Sequence, residues 1–104
     1  MAFNLNDIPS DLLSAFCRKW NVVRLEVFGS ALREDFGPES DLDFLVTFDP
    51  AARRSIFDLA QAEQELASLL GRKVDLVTRA GIERSRNWIR RREILDTARL
   101  LYAA

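Results

Sequence analysis

FGSALREDFGPESDLDF, residues 28–44, holds the pattern that decides the fold. An apolar run ends on Gly29-Ser30, ten residues intervene, and Asp41 and Asp43 stand one residue apart where a second apolar run begins. Carboxylates at the head of a hydrophobic strand need a reason, because burying an unpaired charge is costly. Upstream, VVRLEVF (22–28) is β-branched and aromatic, with Val23, Leu25 and Val27 alternating against Arg24 and Glu26, which predicts a strand. Downstream, LDFLVTF (42–48) predicts a second strand, stopped by Asp49-Pro50. Between them Ser30 can cap a short helix over 31–36 that Gly37-Pro38 ends.

The rest of the chain extends this order. Ile8-Pro9-Ser10-Asp11 opens a helix, with Pro suited to the first turn and the acid favouring the helix dipole. Leu13, Phe16, Cys17 and Trp20 continue it at helical spacing to about Trp20. Ser55 with Asp58 three residues on resembles a capping box. Leu59, Ala62, Leu66, Leu69 and Leu70 mark one helical face, and Gly71 falls where a C-cap glycine belongs. KVDLVT (73–78) predicts a third strand. Residues 81–102 read as a last helix with Trp88, Leu95, Ala98 and Tyr102 along one side. The expectation is a single domain over residues 1–104, α-β-α-β-α-β-α in order, with helices packed on a small sheet.

Composition narrows the chemistry. At 104 residues the chain can bury a core unaided. Residues 1–78 carry a charge of −5 and residues 79–104 a charge of +4. The basic tail suits an acidic partner, a phosphate or a solvated helix face, and the overall balance of −1 does not suggest direct nucleic-acid binding. Without histidine, a Ser-His-Asp or Cys-His centre and any histidine metal site are excluded. Cys17 is the single cysteine and reads as a buried structural thiol. The N-terminus has no leader pattern and no run approaches the ~18 apolar residues of a membrane span. A soluble cytoplasmic protein is expected, with any metal held by carboxylates.

Side chains two apart on a strand share a face, about 6.6 Å apart along the backbone. Asp41 and Asp43 therefore project together and can converge on a metal pair roughly 3.5–4 Å apart, the spacing of in-line displacement at phosphorus. Oxygen-only ligands suit Mg²⁺, which also takes oxygens from substrate phosphates. Asp75 interrupts the apolar Val74–Val77 run. If its strand lies beside Asp43, it can ligate a metal and accept a proton from an attacking hydroxyl. Otherwise it pairs with Arg72 or Lys73, or faces water. A glycine at a strand-to-helix turn lets backbone approach a phosphate, and the free N–H groups beyond it favour an anion.

Taken together, Gly29-Ser30, ten residues, Asp41-Leu42-Asp43 and the later Asp75 resemble the signature of the DNA polymerase β-type nucleotidyltransferases. The short length resembles the minimal members, particularly the MNT antitoxins paired with HEPN ribonuclease toxins. The firm match covers about residues 22–78. The resemblance implies a palm-like α/β (α+β) domain with a mixed sheet. It implies that Gly29 and Ser30 hold the triphosphate of ATP, that Asp41 and Asp43 bind two Mg²⁺, and that Asp75 joins the catalytic metal. Arg33 falls where many members have an arginine, and serves the phosphates or a surface ion pair. Glu34 departs from the glycine that many members carry there, placing a carboxylate near the triphosphate unless it pairs with Arg33.

The implied reaction is transfer of AMP from ATP to a tyrosine of a cognate HEPN toxin. The chain shows no further domain to grip an acceptor, so a protein partner is expected to present it. The alternatives are an aminoglycoside-type transferase acting on a small molecule, and an antitoxin that acts by binding alone.

Overall fold

The computed structural model describes residues 8–29, 41–52 and 55–104. Helix α1 (Ser10–Trp20) follows Pro9, which stands at the N-cap in extended conformation, and Asn21 in the left-handed region ends it. Strand β1 (Val22–Phe28) and strand β2 (Leu42–Phe48) have the limits their apolar runs predict. The helix expected over 31–36 lies outside the described residues.

Helix α2 (Ile56–Leu70) is fixed at both ends. The Ser55 hydroxyl accepts from the Asp58 N–H at 3.3 Å, and the Asp58 carboxylate accepts from the Ser55 N–H at 3.0 Å. This is the capping box, which satisfies two donors that a helix start otherwise orphans. Gly71 closes the other end at φ 65, a left-handed conformation that glycine adopts without penalty. Strand β3 (Val74–Thr78), helix α3 (Arg79–Glu83), helix α4 (Trp88–Thr97) and strand β4 (Arg99–Ala103) complete the chain.

The four strands form one mixed sheet in the order β3-β2-β1-β4. β1 is antiparallel to both β2 and β4, whereas β2 and β3 are parallel. A parallel pair needs a long crossover, and α2 supplies it. On one face Leu25 and Val27, Leu42, Phe44 and Val46, and Val74 and Leu76 pack against Leu13, Phe16 and Cys17 of α1 and Ala62 and Leu66 of α2. The opposite face carries a smaller cluster in which Phe28 and Leu45 meet Ile82 and Ile94.

The C-terminal segment departs from the expected single helix over 81–102. It forms two helices and an edge strand. Ala98 adopts φ −61 and ψ 136 and breaks the helix, and β4 then pairs with β1. The supposed stripe divides accordingly. Leu95 and Ala98 pack on the α3–α4 side, Tyr102 packs on the α1–α2 side, and Trp88 is exposed. The physical reason is long-range. β1 would otherwise leave a row of backbone donors and acceptors open, and closing that edge outweighs local helical preference.

Cys17 is fully buried, and desolvation pushes its thiol up to about 12, as a structural cysteine requires. No helix among the described residues is long and apolar enough to cross a membrane.

Candidate active site

The end of β1 and the starts of β2 and β3 meet at one end of the sheet, and the acidic residues gather there. Asp43 is the Cα partner of Phe28 on one side and of Asp75 on the other. Because Leu42, Phe44, Leu76 and Val74 face the α1–α2 core, Asp43 and Asp75 share the opposite face. Asp41 lies two residues before Asp43, just ahead of the strand. The Leu42 N–H donates to the Lys73 carbonyl at 2.9 Å, which locks the β2 start against the β3 start.

Gly29 is built into this site. Its φ is 75, and a Cβ added there would lie 2.6 Å from Asp43 Oδ2. Any other residue would therefore collide with the carboxylate while straining its own backbone. The Asp43 carboxylate rests in a cradle that only glycine leaves open. Asp41 and Asp43 are half-buried and each has further contacts. Asp75 is exposed on the edge strand β3, the water-facing position given above as an alternative to a ligand role, and neither Arg72 nor Lys73 pairs with it. Ser30, Arg33 and Glu34 lie outside the described residues.

The donor set fits a hard divalent cation. It is all oxygen, with two aspartates at the head of one strand and a third in register beside it. Among the described residues no three such side chains converge closely enough to enclose an ion by themselves. Mg²⁺ is commonly held by one or two carboxylates with substrate phosphates completing its shell.

A buried charge also lies on this face, at a position that the local sequence pattern does not mark. Glu26 is 4% exposed, the one charged residue among the buried described residues. It accepts from Arg79 at 2.6 Å and from Arg24 at 3.0 Å. Arg79 stands at the start of α3, so the pair straps the exit of β3 to β1, two residues along β1 from the Phe28–Asp43–Asp75 row. The available signal was a glutamate inside VVRLEVF, but its burial depends on α3 and α4 covering that face. A second such contact is the Glu63 carboxylate, which accepts from the Leu76 N–H at 2.8 Å on the outer edge of β3.

This arrangement, a carboxylate pair backed by a left-handed glycine at one end of a mixed sheet, can be compared with known proteins. The family model for the nucleotidyltransferase domain matches residues 10–101. A Methanocaldococcus jannaschii protein provisionally named a protein adenylyltransferase is 35% identical over 75 residues, covering 72% of this chain and 77% of that protein. Three further relatives from M. jannaschii and Thermococcus cleftensis, 34–38% identical, share 62% of this chain and 63–64% of their own length. A solved structure provisionally named a minimal nucleotidyltransferase gives a TM-score of 0.72 at 31% identity, covering 95% of this chain and 97% of that one. A chain from the complex of a tri-AMPylated Shewanella oneidensis HEPN toxin with an MNT antitoxin has the same fold. Its TM-score is 0.61 at 22% identity, over 91% of this chain and 70% of that one.

Fold and sequence thus define a nucleotidyltransferase. The chain belongs to the nucleotidyltransferase-domain family, and its architecture is that of the minimal members.

Proposed function

We propose that this chain, as a single domain over residues 1–104, transfers AMP from ATP to a tyrosine of a HEPN ribonuclease toxin in the cytoplasm and so acts as its antitoxin. The observation that carries the reading is Asp43, held against Gly29 and set in register with Asp75 across parallel strands. The relatives named as protein adenylyltransferases and the shared fold of the AMPylated toxin complex support the choice of a protein acceptor.

Asp41 and Asp43 would hold two Mg²⁺, with Asp75 joining the catalytic one; the metal supplies charge stabilisation at the attacking and leaving oxygens. Gly29 and Ser30 would receive the triphosphate, the glycine by close backbone approach, with Arg33 adding positive charge. The acceptor oxygen forms a bond to the α-phosphorus while the bond from that phosphorus to the β-phosphate oxygen breaks, and pyrophosphate leaves. A tyrosine hydroxyl has a pKa of about 10 and must lose its proton as attack begins. Asp75 takes that proton. Its exposure suits the task, because the acceptor arrives from outside the domain.

The test is to incubate the chain and the protein encoded beside it with MgATP and weigh both by mass spectrometry. One or more AMP units on a partner tyrosine, absent with Asp41→Ala/Asp43→Ala, is the expected result. Suppression of the partner without added mass selects neutralisation by binding alone. AMP on an aminoglycoside and on no protein selects the small-molecule reading.

A further inference from the structure

Residues 79–104 concentrate the positive charge of the chain, and only part of it is paired within the fold. Arg79 is held by Glu26, Arg91 donates to the Ser85 carbonyl at 3.2 Å, and Arg92 pairs with Asp96 at 3.4 Å. The guanidinium groups of Arg84, Arg86 and Arg90 are exposed and make no ion pair or hydrogen bond among the described residues. Between them stand Trp88 and Ile89, 60% and 61% exposed. A single exposed apolar residue is ordinary on any surface. An adjacent tryptophan and isoleucine flanked in sequence by three exposed arginines with no partner among the described residues has the composition of an interface centre, where Trp and Arg dominate the binding energy.

The position of the patch adds to its composition. The inner side of α4 packs through Ile94 on Phe28 and Leu45, and Asp43 is the strand partner of Phe28. The patch therefore lies on the side of the sheet that carries the aspartates.

We infer that Trp88 and Ile89, with Arg84, Arg86 and Arg90, form the docking surface for an acidic face of the protein that receives AMP. The inference rests on the proposed transfer and names where its acceptor sits. Charge complementarity selects the occupant: three exposed cations without partners among the described residues attract carboxylates, and the neighbouring Trp–Ile pair adds apolar contact. A nucleic acid is disfavoured because the remainder of the chain, at −5, repels a long polyanion.

The experiment measures affinity for the protein encoded beside this chain, independently of transfer, by calorimetry at low and high salt. Trp88→Ala/Ile89→Ser should weaken binding at least about tenfold. Arg84→Glu/Arg86→Glu/Arg90→Glu should weaken it and flatten its salt dependence, whereas the triple Arg→Lys variant should retain most of it. Both damaging variants should keep the melting temperature and the MgATP response, which excludes loss of fold or of the active site. Unchanged affinity in both overturns the inference. It also falls if the chain alone sediments as a dimer that Trp88→Ala dissolves, or if a single-stranded RNA oligonucleotide needs the arginines and the protein partner does not. Binding through the patch without AMP transfer would leave the surface standing and remove the transfer reading; transfer with unchanged affinity would do the reverse.

Discussion

The two faces of the sheet are drawn from the same strands in alternation and have opposite chemistry. The face under α1 and α2 takes Leu25, Val27, Leu42, Phe44, Val46, Val74 and Leu76, and its closed contact is entirely apolar. The face under α3 and α4 takes Glu26, Phe28, Asp43, Leu45 and Asp75, and among the described residues α3 and α4 pack on it through Ile82 and Ile94. The first face is built for stability. The second gives up apolar area to hold three carboxylates, Glu26 paired with two arginines and Asp43 and Asp75 side by side towards one end of the sheet. A charge placed in a strand is thus informative in two ways, and its partners tell them apart: Glu26 has Arg24 and Arg79, whereas Asp75 has none among the described residues.

The largest effect on stability should follow from breaking the apolar face. Phe44 is fully buried among residues of α1, α2 and the strands. Phe44→Ala removes its transfer energy and leaves a cavity, for a loss of about 3–5 kcal/mol in chemical denaturation. A loss below about 1 kcal/mol would mean that this face is not the main core.

Next in size is Gly29→Ala, which tests the seam between core and site. The methyl would stand 2.6 Å from Asp43 Oδ2 at a φ of 75. A left-handed alanine costs roughly 1–2 kcal/mol, and the displaced carboxylate should weaken MgATP binding as well. The expected signature is a lower melting temperature with a reduced MgATP-induced shift. A lower melting temperature with the full shift would assign Gly29 to the turn alone.

Much of this contrast was legible in the sequence. The limits of β1 and β2, the Ser55–Asp58 box and the Gly71 cap follow from local patterns, since each depends on residues within a few positions. Asp41 and Asp43 were legible because carboxylates rarely open a strand. What local pattern could not show was β4, whose strand character comes from pairing with β1 some 75 residues earlier in the chain. The burial of Glu26 was hidden for the same reason. The register of Asp75 opposite Asp43 could be posed as a condition but not resolved, because it depends on how α2 returns the chain.

A smaller effect belongs to the tie between the two core helices. The Glu65 carboxylate of α2 accepts hydrogen bonds from Lys19 and the Trp20 indole at the end of α1. These bonds, with the Lys19 charge, hold its pKa below the usual glutamate value. A depressed carboxylate contributes stability that is present above the unfolded pKa, near 4.3, and is lost as pH falls through the lower folded value. The pair is partly solvent-screened, so its size is about 0–1 kcal/mol. The melting difference between the native chain and Glu65→Gln should be largest near neutral pH and shrink below about pH 4, with Trp20 fluorescence following it. A difference that grows on acidification would reverse the assignment.

The smallest effect on stability should come from Asp75, a residue whose replacement is expected to lower transfer strongly. Asp75 is exposed and has no ion-pair partner among the described residues, so Asp75→Asn removes no contact on which the fold depends. The amide is nearly isosteric. It also relieves the repulsion between two carboxylates that stand side by side in parallel register. The melting temperature should hold or rise slightly. Transfer should fall by a hundredfold or more, on the order of what loss of a general base costs, because an amide cannot take the acceptor proton. The MgATP shift separates the two roles assigned to this side chain. If Asp75 acts mainly as the base, Asp75→Asn keeps most of that shift while transfer collapses; if it acts mainly as a metal ligand, shift and transfer fall together. An unfolded Asp75→Asn protein would instead place the residue in the structural framework and move the catalytic proton acceptor elsewhere on this face.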